Sequence, residues 1–129
     1  MIIKNGEVFQ EDGSFRLQDL YVENHRIVAS EDEVTDKTIV DAAGLRVLPG
    51  LVDIHSHGAA GEDFSDGNPE GLKKILQYEK RCGITSYCPT SMTFPKERLR
   101  QIFASIKGAQ TEDGATVVGI NMEGPFLDP

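Results

Sequence analysis

The run of residues 51–58 constrains the fold of this chain more than any other part of its sequence. It is mostly apolar, begins directly after Pro49-Gly50, and carries His55 and His57 near its end, before a glycine-rich stretch. Because successive side chains of a strand point to opposite faces, two histidines separated by one residue point in the same direction. The pattern therefore predicts a short buried strand of a parallel sheet that presents both imidazoles at its carboxyl end.

The histidine pair is a candidate metal site, because neutral imidazole nitrogen is a common ligand for zinc and similar divalent ions. The alternative is a pair of polar residues that end a strand and share no ligand. A third candidate ligand, Glu123, follows the apolar run 116–122 and precedes Gly124-Pro125. Counting by two places Glu123 on the polar face of that strand, where it could meet His55 and His57. A solvated loop carboxylate is the alternative for Glu123.

Other polar residues near these strands also have two interpretations. Asp53 has the same strand parity as the histidines, so it either orients a ligand or accepts a hydrogen bond from the backbone. Thr85, Ser86, Thr90 and Ser91 lie in or just after the next predicted strand. Because serine and threonine at strand ends usually bond to the backbone, we do not assign these four residues to the site.

Between the two apolar runs the sequence alternates between helical and extended patterns. Asn68-Pro69 predicts the start of a helix over residues 69–81, and residues 84–89 predict a second strand. A second helix is predicted from Pro95 to Gly108, because its apolar residues recur at helical spacing. The order strand, helix, strand, helix, strand favours a parallel sheet with right-handed crossovers.

The first 48 residues have a different pattern. Short alternating segments are separated by turn-forming or acidic stretches, and they predict antiparallel strands over residues 2–9, 19–29 and 37–42. We therefore expect two domains in an α/β chain. Residues 1–48 would form a small β-sandwich segment, and residues 49–129 would form the start of a larger α/β domain.

Three motifs occur in a characteristic order, over residues 48–58, 83–90 and 119–126. Each occurs within the amidohydrolase superfamily, and the joint set resembles one of its families, the N-acetylglucosamine-6-phosphate deacetylases. The resemblance covers essentially this whole chain and the front third of such an enzyme. It implies that residues 49–129 are the first three strands and two helices of an incomplete (β/α)8 TIM-type barrel, truncated after the third strand. The length agrees, since a complete barrel takes about 250 residues.

The resemblance also implies an activity. It is the metal-dependent hydrolysis of the acetamide of N-acetyl-D-glucosamine 6-phosphate to D-glucosamine 6-phosphate and acetate, a step of amino-sugar catabolism. The implied metal ligands are His55, His57 and Glu123, and the ion would be divalent, with zinc or iron as the first candidates. In the family the general base comes from later strands, beyond residue 129. We therefore assign no catalytic residue and expect this chain alone to be inactive.

Two alternatives belong to other classes. A dihydroorotase-like or dipeptidase-like amidohydrolase would share the motif of residues 49–57, although Glu123-Gly124-Pro125 argues against it. A non-catalytic fragment that associates with copies of itself is the second alternative. Three strands of a barrel would leave sheet edges unpaired, so we expect a homo-oligomer.

Charge limits the classes of partner. The net charge of −8 opposes binding to nucleic acid and to anionic membranes, so we expect neither, and the expected partner is a small amino-sugar phosphate. No apolar stretch approaches the roughly 18 residues that would span a bilayer. The opening residues Met1-Ile2-Ile3-Lys4-Asn5 lack the regions of a signal peptide, which favours a cytoplasmic location.

Overall fold

The structure is a computed structural model that describes residues 1–109 and 111–126. The chain divides into two compact units, the first ending at Pro49 and the second beginning at Gly50. Among the described residues, no helix is both long enough and apolar enough to cross a membrane.

The first unit is one mixed sheet of five strands. These are β1 (Ile2–Phe9), β2 (Phe15–Glu23), β3 (Arg26–Val28), β4 (Ile39–Asp41) and β5 (Arg46–Val47). β1, β2 and β3 pair in antiparallel order, whereas β4 and β5 both pair with β1 in parallel. A one-turn 3-10 helix, Glu31–Glu33, lies in the connection between β3 and β4.

The antiparallel prediction is thus confirmed for the first two segments and wrong for residues 37–42. The connection after β3 is long enough to carry the chain back alongside β1 in the same direction, which a tight hairpin turn cannot do. The described residues of this unit form a single sheet, so the β-sandwich stays a prediction. Leu17 and Ile27 remain exposed on this sheet.

The second unit alternates strands and helices. Its elements are β6 (Leu51–Ser56), β7 (Gly58–Ala59), β8 (Glu62–Asp63), a 3-10 turn (Phe64–Asp66), α1 (Pro69–Arg81), β9 (Ile84–Ser91), α2 (Lys96–Ala104), α3 (Ile106–Ala109), β10 (Thr116–Val117) and β11 (Asn121–Met122). The central strand is β9, which pairs in parallel with β6, β10 and β11. This arrangement confirms the predicted order and the parallel sheet.

Helix α1 has the predicted bounds, and its start is encoded locally. The Asn68 side chain accepts a hydrogen bond from the Glu70 amide at 3.1 Å, and Pro69 occupies the first turn, where it has no intrahelical donor to lose. Leu72, Ile75 and Leu76 are buried on one face. They pack in a core cluster with side chains from the 3-10 turn, β9 and α2, namely Phe64, Tyr87, Leu99 and Ile102. Each large apolar side chain in this cluster contributes about 1.5–3 kcal/mol.

Two predicted elements are interrupted in the structure. The second helix breaks at Ser105, whose hydroxyl donates to the Ile102 carbonyl at 2.6 Å, and such a side-chain bond to the preceding turn bends a helix. The third strand is present only as β10 and β11, which are separated by residues 118–120.

The predicted burial of the first strand is wrong in the described structure. Leu51, Val52 and Ile54 are all more than half exposed. The apolar composition of β6 is that of a strand with neighbours on both sides, but among the described residues it pairs with β9 alone. One edge of β6 is therefore open.

Glu79 is the exception on the buried face of α1. It is only 4% exposed and takes part in none of the ion pairs of the described residues. Burial raises the pKa of the Glu79 carboxyl, and the negative charge of Asp53 raises it further. The folded state therefore holds a proton on Glu79 at pH values where the unfolded chain has released it.

We expect Glu79→Gln to raise the free energy of unfolding at neutral pH. In the wild type, the contribution of protonated Glu79 is complete below its ordinary pKa of 4.5 and is lost as pH rises through the higher pKa of the folded state. The amide cannot ionise, so the variant should lack this loss. Denaturant unfolding across this pH range measures the effect, with the exposed Glu112→Gln as the control. Equal pH profiles for wild type and Glu79→Gln would contradict the prediction.

Candidate metal centre

The structure brings together the three side chains that the sequence predicts as ligands. His55 and His57 lie at the carboxyl end of β6, and Glu123 follows β11. One Glu123 carboxylate oxygen, Oε2, is 3.3 Å from His57 Nε2 and 3.8 Å from His55 Nε2. The three side chains each offer one ligand atom, and these atoms lie within 4.8 Å of one another. Two imidazoles and a carboxylate at this spacing can hold one divalent ion.

The two imidazoles differ in their surroundings. Their ring centroids are 5.5 Å apart and the ring planes are inclined at 74°. The side chain of His55 is 59% exposed and that of His57 is 34% exposed, while Glu123 is 44% exposed. The cluster is therefore open to solvent on one side, so an ion and a further ligand can reach it.

The backbone carbonyl of Thr90 sets the tautomer of His57. The oxygen lies 3.1 Å from His57 Nδ1. A carbonyl only accepts hydrogen bonds, so Nδ1 carries the hydrogen and a neutral ring presents the lone pair of Nε2 toward Glu123. Two electron-rich atoms, Nε2 and Oε2, then face each other, which is favourable only with a cation or a proton between them. Metal-bound histidines are commonly held in this way, with the second ring nitrogen donating to a carbonyl.

Glu123 is held through its backbone. The Thr93 hydroxyl donates to the Glu123 carbonyl at 3.0 Å. The next residue, Gly124, has a φ of +86°, and a Cβ at this position would lie 2.8 Å from Thr93 side-chain atoms. The positive φ and the close approach to Thr93 both favour glycine at the position after Glu123. In addition, the Asn121 side-chain amide donates to the Ile54 carbonyl at 3.1 Å, which ties β11 to β6.

The backbone on either side of the histidines is also fixed. Asp53 accepts a hydrogen bond from the His55 amide at 2.9 Å, so the backbone interpretation of Asp53 is the one observed. The Phe64 amide donates to the His57 carbonyl at 2.8 Å and anchors the segment to the 3-10 turn. These bonds restrict the directions that the imidazoles can take.

Sequence reasoning missed three contributors to this cluster. Thr90 acts through its carbonyl, and Thr93 carried no signal beyond its place near a strand end. The parity of Asn121 with Glu123 was visible in the sequence and could have suggested that both point toward β6.

The Thr90 hydroxyl is buried and has no hydrogen-bond partner in the described part of the chain.

Comparisons with known proteins agree with the motif analysis. No protein-family model matches the chain. The N-acetylglucosamine-6-phosphate deacetylase of Vibrio furnissii is 27% identical over 129 residues, which are 97% of this chain and 31% of that protein. The N-acetylgalactosamine-6-phosphate deacetylase of Escherichia coli O157:H7 is 31% identical over 133 residues, covering 99% of this chain and 34% of that protein.

A solved structure shows the same fold. The crystal structure of N-acetylglucosamine-6-phosphate deacetylase from Pasteurella multocida superposes with a TM-score of 0.79 at 23% identity, over 98% of this chain and 35% of that one. The chain thus spans about a third of the length of the relatives it matches. These matches confirm the resemblance to N-acetylglucosamine-6-phosphate deacetylases that the three motifs predict.

We expect the chain to bind zinc, and to lose that binding in His55→Ala/His57→Ala. Binding should be weak, because three ligands on a partly open scaffold are incompletely held in place. Calorimetric titration of zinc into the metal-free chain measures it. The remaining histidine, His25, lies in an exposed turn of the first unit, so His25→Ala is the matched control and should bind like wild type. Identical curves for wild type and the double variant would show that these histidines are not ligands.

Proposed function

We propose that this chain supplies metal ligands to an enzyme that removes the acetyl group from N-acetyl-D-glucosamine 6-phosphate, giving D-glucosamine 6-phosphate and acetate. The observation that carries the proposal is the convergence of His55, His57 and Glu123 in a chain whose relatives are named deacetylases. Because the chain covers only part of those relatives, the activity is proposed for the protein in which the whole site is assembled.

The proposed roles follow from the chemistry of the three side chains. A divalent ion bound by them, zinc or iron, would polarise the acetamide carbonyl and make a water molecule more acidic. His55 and His57 contribute neutral nitrogen donors, and Glu123 contributes one negative charge. The carbonyl of Thr90 keeps the His57 ring oriented with Nε2 toward the ion. With one carboxylate, the loaded centre keeps a net positive charge, which favours the negative charge that develops on the carbonyl oxygen.

The proposal includes a fold larger than the described residues. We assign residues 49–129 to the start of a (β/α)8 barrel and residues 1–48 to a small β-sandwich. Parallel strands joined by helices support the first assignment, since barrels are built from such units and carry their sites at the carboxyl ends of the strands. The cluster of His55, His57 and Glu123 lies at that end of the sheet.

A second candidate substrate is N-acetyl-D-galactosamine 6-phosphate. The relative from Escherichia coli O157:H7 carries that activity in its name and matches nearly the whole of this chain. The two sugars are epimers at one hydroxyl and present the same acetamide. The three proposed ligands would serve either substrate equally, so the choice depends on groups that contact the sugar ring.

A chimera tests the proposed function. We expect a protein in which this chain replaces the matching third of the Vibrio furnissii deacetylase to release acetate from N-acetylglucosamine 6-phosphate. Glu123→Gln in the chimera should lower the rate at least about 100-fold, because it removes the charged ligand. His25→Ala should leave the rate unchanged.

The chain alone is the negative control. All three titratable groups of its cluster are proposed as ligands, which leaves none of them as a general base. Acetate release by the chain alone at about 10 s⁻¹, which is a typical enzymatic turnover number, would contradict this assignment. A folded, zinc-loaded chimera that is inactive on both epimers would contradict the proposed function itself.

We also propose that isolated copies of this chain associate. Its exposed apolar side chains lie on both outer edges of the described sheet in the second unit, on β6 and around β10 and β11: Leu51, Val52, Ile54, Val118, Ile120 and Met122. Burying a few hundred square ångströms of this surface, at about 25 cal/mol per Å², would contribute several kcal/mol. We expect sedimentation velocity to show concentration-dependent association that Val52→Lys/Ile120→Lys weakens. A monomer at all concentrations would contradict the expectation.

A further inference from the structure

The buried residue Tyr87 forms a hydrogen bond to the backbone of the histidine-bearing segment. Its side chain is fully buried and belongs to the core cluster that includes Leu72 and Ile75 of α1. Its hydroxyl donates a hydrogen bond to the Ser56 carbonyl at 3.0 Å. Ser56 is the residue between the two histidines, so this bond joins the core directly to the peptide that carries both imidazoles.

The contact replaces regular strand pairing. β6 and β9 pair at Asp53 with Tyr87 and again at Ser56 with Pro89, and the register shifts between these two points. Pro89 has no N–H, so β9 offers fewer backbone donors here than a regular strand would. Two side chains bind the backbone of β6 in this interval. Asp53 accepts a hydrogen bond from the His55 amide, and Tyr87 donates one to the Ser56 carbonyl.

The Tyr87 hydroxyl is suited to this role because it stays protonated and cannot move far. Burial raises the pKa of Tyr87 to about 12. The phenol therefore remains a donor throughout the physiological pH range. Its ring is held by close packing in the core, so the hydroxyl keeps a fixed position relative to α1 and β9.

We propose that Tyr87 is a positioning residue of the metal centre, whose buried hydroxyl holds the Ser56 carbonyl and thereby sets the mutual orientation of the His55 and His57 imidazoles. The inference rests on the proposed ligand role of these two histidines. It adds a link from the core, through one backbone carbonyl, to the geometry of the site.

The test compares Tyr87→Phe with Tyr78→Phe in the full chain. Tyr78 lies on α1 with its side chain half exposed, so its variant controls for removal of a phenol hydroxyl. We expect Tyr87→Phe to bind zinc about 10-fold more weakly, the scale of losses seen when a partner of a ligand is removed. We also expect its cobalt(II) complex to have an altered visible absorption spectrum, because that spectrum reports coordination geometry. Tyr78→Phe should match wild type in both measurements.

Wild-type zinc affinity together with a wild-type cobalt spectrum in Tyr87→Phe would overturn the proposal, even if the variant melts at a lower temperature. If Tyr87→Phe does not fold, 4-fluorophenylalanine at position 87 keeps the ring and a para substituent without the donor, and it carries the same expectation. The His55→Ala/His57→Ala variant separates the two levels of inference. Zinc binding that survives in that double variant overturns the ligand assignment. Loss of binding in the double variant, together with weakened binding in Tyr87→Phe, supports both the ligand assignment and the role of Tyr87.

Discussion

The hydrogen bond between His57 Nδ1 and the Thr90 carbonyl is the interaction on which the arrangement of the site depends. It joins the ends of two neighbouring parallel strands, β6 and β9, and in the same step fixes which nitrogen of the ring has a free lone pair. If β9 were shifted in register against β6, the Thr90 carbonyl would not lie beside the ring. The pairing of the sheet therefore determines the chemistry of the imidazole, and the fold and the site cannot be varied independently.

Around this bond, side chains replace backbone pairing where the strands end. The Asn121 amide reaches the Ile54 carbonyl, and the Thr93 hydroxyl holds the carbonyl of Glu123. The ladder between β6 and β9 is interrupted between Asp53 and Ser56, next to the histidines. Isolated polar contacts then provide the rigidity that the ladder no longer gives. This is why the residues that hold the site are scattered over four segments of the chain.

The sequence predicts those parts of the fold that are encoded locally. Asn68-Pro69 fixes the start of α1, and the alternation of patterns from Pro49 onward is confirmed as a parallel sheet. The strand period brings His55 and His57 to one side, and it also predicts their approach to Glu123. The break at Ser105 was missed because it depends on which way one hydroxyl turns.

Other features could not be predicted because they depend on distant neighbours. The parallel pairing of β4 with β1 is decided by the path of the chain between them, and the exposure of β6 by the number of strands beside it. Likewise, the roles of Thr90 and Tyr87 come from contacts more than thirty residues away along the chain.

The acidic residues around β6 determine how many carboxylates the metal centre can use. Three acids lie near enough to Tyr87 to raise the pKa of its phenol, and they come from α1, β6 and β8, namely Glu79, Asp53 and Asp63. Glu79 is buried, and burial disfavours its charged form. Asp53 is the acidic residue closest in sequence to the histidines. Asp53 bonds to the His55 amide through its carboxylate, and this bond directs the acid to the backbone instead of to a metal. The ligand set is thereby limited to one carboxylate, Glu123, and two neutral rings. Such a set leaves a bound divalent ion with net positive charge, as the polarisation of an amide carbonyl requires.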